Sequence, residues 1–378
     1  MNLALSDEQE FLKEAAQGAL ARVATIEAAR AAIEDEAQRP DLWPLAVGAG
    51  WPGLVIAEQR GGAGLGIFEA LLIAEETGRA LAGVPLLGLL PATLVLDAAR
   101  DETCEAVASG ERRPVHVPAR PAARATDEAW SVDAVTGGGR GPALRARVRG
   151  GTAVVSGAAG HVVDAPGADL LTAVAVSESG APICVVIEAA AKGVSVAPVR
   201  SYDATRALAH ITLDDAPARV LPVDDAIMAR AWYFAQALIA AESLGAVQPC
   251  LEMSVAYAQE RFTFGRPIGS YQSIKHEIVE ILRLMDNARS LQYFAGWSGE
   301  SAPEEFALAA SAARSGAGRA LAFASRALIN VHGGIGATWE HDAPLFFRRA
   351  QVSSRLVGGT HDASSRVASE LLASTGTP

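Results

Sequence analysis

The chain has 378 residues, half of them hydrophobic and 20% charged, with a formal net charge of −11 and a pI near 5.2. Such a composition excludes a disordered chain and suits two or three packed layers or domains around a large core. The acid excess, with no basic stripe, speaks against nucleic acid and anionic membrane as partners.

In chain order, residues 1–110 read as α-helical. Asp7, Glu8 and Glu10 arrive at once, which does not fit a signal peptide, and Ser6 ahead of them is a helix start. Phe11, Leu12, Ala15, Ala19 and Val23 follow near helical spacing. The run RGGAGLG at 60–66 reads as a loop, and FEALLIAEETGRAL at 68–81 resumes the helical pattern. The most apolar stretch, 81–99, raises the question of a membrane span. Pro85, Gly88 and Pro91 interrupt it, so the expectation is a buried helix–turn–helix.

Residues 111–225 change character. Short β-prone runs at 152–156, 169–176, 183–188 and 207–213 are separated by turn residues, which predicts a small β-barrel or sandwich. The segment 117–141 is rich in Pro, Ala and Gly and predicts no element. Residues 226–378 are helical again. Ile278, Leu282, Met285 and Leu291 fall along one side of a helix, and long helices near 232–260 and 275–297 predict an antiparallel bundle. Cys104, Cys184 and Cys250 are far apart and outside any CxxC pattern, so they read as reduced, mostly buried thiols of a cytoplasmic protein. The seven histidines form no HxH or HExxH, and no metal site is expected.

Five phrases, taken in order, resemble the acyl-CoA dehydrogenase family. They are GWPGLVIAEQRGGAGLG at 50–66, AEETGRAL at 74–81, GVSVAPVRSYDATR at 193–206, YAQERFTFGRPIGSYQSIKH at 257–276 and INVHGGIGATWEHDAPLFFRRA at 329–350. The resemblance implies an α+β multidomain fold: an N-terminal α-helical domain (1–110), a middle β-barrel or sandwich domain (111–225) and a C-terminal four-helix bundle (226–378). It implies FAD as cofactor, an acyl-CoA thioester as substrate and an electron-transfer flavoprotein as acceptor. In that chemistry a glutamate removes the α-proton while the β-hydride goes to flavin N5.

The resemblance also implies roles. Arg261 matches the arginine that reaches the FAD pyrophosphate of a neighbouring subunit, a task suited to a planar, always-charged donor fork. Thr263 and Phe264 match positions lining the same cofactor, and Gln272 matches a contact to its adenine end. Gly333 and Gly334 offer backbone N–H groups close to it. Asn330 stands where the family has glutamine, with a shorter reach.

Several family features are missing. The base of the best-known members falls on Val357, or on Gly358 if the Gly-Thr is matched, and the alternative base position falls on Ala235, followed by Gln236 in place of arginine. None of the three base positions can accept a proton. Glu242 and Glu252 lie further along the same helix and read as surface or helix-pair carboxylates. The acidic Gly-Ser loop that faces the flavin has no equivalent between Val115 and Arg149, and Val163 stands where a hydroxyl contacts the flavin. The pattern resembles the subunit without the base in heterotetrameric acyl-CoA dehydrogenases of bacterial steroid side-chain breakdown. FAD would then be shared with a partner subunit that keeps its glutamate. The alternatives are a self-sufficient homo-oligomeric dehydrogenase with its base elsewhere, a binding or scaffold protein without flavin chemistry, and a flavin monooxygenase, against which the lost flavin loop argues.

Overall fold

The structure is a computed structural model that describes residues 4–23, 25–122 and 129–375. It begins with helices α1 (Asp7–Leu20), α2 (Thr25–Glu34), α3 (Trp43–Gly48), α4 (Ile67–Arg79), α5 (Leu86–Ala98) and α6 (Cys104–Ala108). Ser6 caps α1 as the sequence predicts: its hydroxyl accepts from Gln9 N at 3.3 Å, while the Gln9 side chain accepts from Ser6 N. The apolar stretch at 81–99 is buried, but Gly88 and Pro91 lie inside α5 rather than breaking it. Only Pro85 stays outside. A helix apolar on every face is held by packing all round, which offsets the hydrogen bond that proline removes. Among the described residues no helix is long and apolar enough to cross a membrane.

The middle strands are β1 (Pro114–Val117), β2 (Ser131–Asp133), β3 (Arg140–Pro142), β4 (Leu144–Arg149), β5 (Thr152–Val163), β6 (Leu170–Ser177), β7 (Pro182–Glu188), β8 (Val194–Val199) and β9 (Leu208–Leu221). Strands β4, β5, β9, β7 and β6 pair in that order, and β6 pairs back to β4, which closes a barrel. β1 extends the edge of β6 and β8 that of β9, while β2 and β3 form a separate hairpin. The four predicted runs all become strands; β1, β4 and β8 join them. Side chains of Val155, Leu171, Val185 and Ile211 meet inside the barrel with residues of α5 and α6. His161 sits at φ +53, where the β5–β9 register shifts between Ala159 and Val162.

The C-terminal part holds α7 (Asp225–Glu260), a short hairpin β10 (Phe262–Thr263) and β11 (Arg266–Pro267), α8 (Gln272–Ser301), α9 (Pro303–His332), α10 (Ala343–Ser353) and α11 (Gly359–Thr375). The buried face of α8 is Ile281, Met285, Ala288, Gln292 and Ala295, a three-four repeat. Leu282, predicted on that face, points outward and is 42% exposed; Ile281 takes its place. Helices α4 and α7 cross so closely that a Cβ on Gly245 would lie 1.7 Å from Glu75 O, and one on Gly78 2.0 Å from Glu242 O. Only glycine permits that crossing, which joins the N-terminal helices to the bundle.

Directly after β5, Asp164 accepts a hydrogen bond from Gly88 N at 3.0 Å. Burial raises its carboxyl to about 6 from the usual 3.8, against the pull of Gly88 N–H, Arg113 and Arg206. A folded-state pKa above the unfolded value means that the neutral acid favours folding. That contribution is complete below about pH 4 and is lost as pH rises through about 6. Asp164→Asn is therefore expected to stabilise the chain at pH 8 by at most about 3 kcal/mol, with the gain vanishing near pH 4. His116, lowered to about 4 by burial, has the opposite slope and loses stability as pH falls from 6.5. Chemical denaturation of both forms at several pH values checks this, and an equal gap at every pH would refute it.

Candidate functional site

The residues that the sequence proposes as cofactor contacts fall at one end of the bundle, where the C-termini of α7 and α9 meet the N-terminus of α8. Arg261 caps α7, its N–H donating to Tyr257 O at 2.9 Å, and its side chain is exposed with no ion pair among the described residues. The hairpin then reverses through Phe264 (φ +48) and Gly265 (φ +76). Tyr271 Oη donates to Thr263 O at 3.0 Å, and Arg266 lies 4.0 Å from the Tyr271 ring centroid, so the hairpin is tied to the start of α8. Gln272 is exposed in the first turn of α8.

Across from it, Gly333 leaves α9 at φ +63. A Cβ on Gly333 or Gly334 would meet nothing within 4 Å, so this backbone faces open space. Asn330 is exposed, and Glu277 accepts from its amide nitrogen at 3.1 Å. It is therefore spent on an α8–α9 contact, and its expected cofactor role needs a rearrangement. His332 stacks between Tyr257 and His341, each ring centroid 4.2 Å away, and its Nδ1–H donates to Leu328 O. Burial keeps His332 below the ordinary histidine range. Around these residues Phe264 is 93% exposed, and Phe262, Val279, Leu282 and Ile335 are exposed with it. That is an unusual amount of apolar side chain for a free surface.

The base positions lie elsewhere, in the core. Ala235 and Val357 are buried in one apolar cluster with Trp232, Leu86, Val163 and Leu208. Val357, Gly358 and Gly359 form a turn at φ +51, +77 and +73. A β-branched residue there is strained, and the surroundings over-determine it. Gln236 Nε2 donates to Val357 O at 3.2 Å. Arg314, wholly buried and lowered to about 9 by burial and by Arg206, donates to the carbonyls of Ser353 and Leu356. The turn is fastened from beneath by both side chains.

What the sequence did not reveal is a bridge of charged groups over this turn. Asp362 lies beside Gly358, where a Cβ would be 2.5 Å from its Oδ2 and 3.0 Å from the Trp232 ring. Arg120 donates to Asp362 at 2.6 Å from the barrel side. Arg140, held by Asp133 at 2.9 Å, lies 5.0 Å from the Trp232 ring centroid. Burial raises the Asp133 carboxyl; Arg140 and then His161 pull it back down, while Asp362 adds to the rise. Arg120 thus ties the segment after β1 to the start of α11, and Arg140 ties the β2–β3 hairpin to Trp232 of α7, both close to the Val357–Gly358 turn.

Two carboxylates of α7, Glu242 and Glu252, have partners elsewhere. Glu242 is buried, not at the surface: it pairs with Arg206, accepts from Thr77 Oγ1 at 3.4 Å and lies 3.8 Å from Arg349. Arg349 in turn donates to Asp203 at 2.7 Å. Glu252 is exposed and pairs with Arg79 of α4 at 3.3 Å. Cys104, Cys184 and Cys250 are all buried, and burial raises each thiol, the first two to about 11 and about 12.

The sequence matches two family descriptions, "Acyl-CoA dehydrogenase, N-terminal domain" over residues 6–106 and "Acyl-CoA dehydrogenase, C-terminal domain" over residues 226–371. It is 30% identical to acyl-CoA dehydrogenase IpdE2 of Mycolicibacterium smegmatis, an alignment covering 97% of this chain and all of that one. Among solved structures, a variant of the Tcur3481–Tcur3483 steroid ACAD superimposes with a TM-score of 0.84 at 26% identity, covering 98% of this chain and 99% of that one. The ChsE4–ChsE5 complex from Mycobacterium tuberculosis gives a TM-score of 0.86 at 22% identity over the full length of both chains.

Proposed function

The chain belongs to the acyl-CoA dehydrogenase family, and from that premise we propose that it is the subunit without a base in a heteromeric enzyme that dehydrogenates an acyl-CoA thioester. Its three segments, 1–110, 111–225 and 226–378, would then be the family's three domains. Its task would be to complete the FAD site of a partner that keeps the glutamate.

The carrying observation is the split between two regions. At the bundle end, the unpaired Arg261 and the open backbone at Gly333–Gly334 fit a pyrophosphate: a guanidinium fork and N–H donors are what phosphate oxygens require. The exposed phenylalanines beside them fit burial against a second subunit. At the flavin-ring end the residues do not fit. Val163 offers no hydroxyl, and Asp362, beside Gly358, is already engaged by Arg120. FAD supplies the hydride acceptor in this chemistry. This chain would orient the phosphate end of the partner's cofactor and exclude water from that end. It has no side chain at Ala235, Val357 or Gly358 to take a proton.

The relatives named for steroid degradation and for a two-component complex favour a steroid-derived acyl group and a second acyl-CoA dehydrogenase-type chain as partner. One observation favours a second reading, a self-sufficient enzyme: the Asp362 carboxylate beside Gly358. Its ion pair with Arg120 works against base chemistry, since the carboxylate is held by that partner and not directed at a substrate carbon. The experiment that separates the two readings is turnover by the chain alone. None is expected under the first, and turnover abolished by Asp362→Asn is expected under the second.

A further inference from the structure

An open cleft of about 410 Å³ lies between α2 and the loop that follows β8. Arg200, Ser201 and Tyr202 form one wall, Arg348 of α10 the base, and Ile33 and Glu36 the other wall. Glu36 is paired with Arg39 at 3.0 Å, so its charge is already answered. Neither Arg200 nor Arg348 has an ion pair among the described residues, although the chain carries 43 acidic groups against 32 Lys and Arg.

Arg348 is not an ordinary surface arginine. Its guanidinium lies between two aromatic rings, 4.4 Å from the Tyr202 centroid and 5.0 Å from that of Trp339. Its Nη1 donates to Tyr202 O at 3.1 Å. The loop beneath is bolted to α10 by Arg349, which donates to Asp203 and Thr205. The fork is therefore held in place before any ligand arrives, which lowers the ordering cost of binding. Tyr202 and Trp339 remain 51% and 64% exposed, so each has ring surface left for a planar group. The Ser201 hydroxyl accepts from Asp203 N and is free to donate outward.

We propose that this cleft binds the ADP moiety of a nucleotide, with the phosphates on Arg200 and Arg348 and the base on the aromatic surface of Tyr202 or Trp339. Two guanidinium groups, one of them held in place, suit a diphosphate better than a carboxylate, and an aromatic–arginine ladder is a stacking platform for a purine. The site does not depend on the partner reading, because its charged groups, Arg200 and Arg348, lie outside the bundle end that carries Arg261.

The ADP moiety occurs free, in coenzyme A and in FAD, and calorimetric titration of the full chain with ADP, CoA and FAD tells which source is preferred. ADP itself is expected to bind, and adenosine and inorganic phosphate each at least about tenfold more weakly. Arg200→Ala and Arg348→Ala should each weaken ADP about tenfold or more. Arg348→Lys should not restore it, since an ammonium lacks the planar fork. Arg200 is exposed, so its replacement leaves the fold intact if Arg348→Ala does not. No binding of ADP would overturn the proposal, as would ADP bound no better than phosphate. Affinity lost in Arg261→Ala but kept in Arg200→Ala would also overturn it, by placing ADP at the bundle end.

Discussion

Purified by itself and saturated with FAD, the chain is expected to oxidise no acyl-CoA. The α-proton of a thioester is weakly acidic, and its removal needs a base within hydrogen-bond reach. Ala235, Val357 and Gly358 offer none, and Glu242, the buried carboxylate of α7, is already paired with Arg206. Loss of a positioned base costs on the order of 10²–10⁴ in rate, and the poor flavin-ring site adds to that. Simple restoration should also fail. At Gly358 a glutamate would need φ +77 and a Cβ 2.5 Å from Asp362, so Gly358→Glu is expected to unfold the turn rather than to create an enzyme. At Val357 the new carboxylate would sit in a wholly apolar cluster. Steady-state turnover with a panel of acyl-CoAs and an electron acceptor checks the expectation. Clear turnover that survives controls for host dehydrogenases would contradict it, and Asp362→Asn would then show whether that carboxylate is the base.

Arg261→Ala is expected to give the second large effect, in the assembled complex and not in the lone chain. The Arg261 side chain is exposed and has no ion pair among the described residues, so its removal should disturb the fold little. A charge-assisted contact to phosphate is worth roughly 1.5–3 kcal/mol, which is about 10–100-fold in FAD retention. Arg261→Lys should recover part of this, because the charge returns without the fork. Dissociation of FAD on dilution of the complex is the readout. If it is unchanged in Arg261→Ala while the complex stays assembled, the arginine does not face the cofactor.

The sequence carried the helices and most of the barrel because their signals are local. Ser6 with Gln9 makes its cap within one turn, and FEALLIAEETGRAL repeats at helical spacing over its own length. Among the strands that were hidden, two show the physical reason. β4 reads LRARVR, with Arg145 and Arg147 outward between buried Leu144 and Ala146, and its alternation is masked by the Pro- and Gly-rich segment before it. β8 is a flank of β9, only partly buried, so it has no apolar run. Leu282 was misplaced because a helix face read from four large residues ignores small ones: Ala288 and Ala295 define the buried side.

At the site, legibility followed the same line. The empty base positions could be read directly, because what matters there is the absence of a carboxyl. The charged bridge could not. Arg120 and Asp362 are 242 residues apart, and Arg140 meets Trp232 only through the folding of a hairpin with no periodicity of its own. The bond from Asn330 to Glu277 was equally invisible, since nothing in the sequence fixes which way an amide at a helix end will point.

The most direct measurement of the central claim is the number of FAD molecules in the chain co-purified with a base-carrying acyl-CoA dehydrogenase partner, counted by flavin absorbance against protein. Under the proposed function this chain lacks a flavin-ring site of its own, and Arg261 serves the partner's cofactor. The account predicts one FAD for every two chains and a colourless chain on its own; one FAD per chain, or a lone chain that purifies with a full complement of FAD, would contradict it.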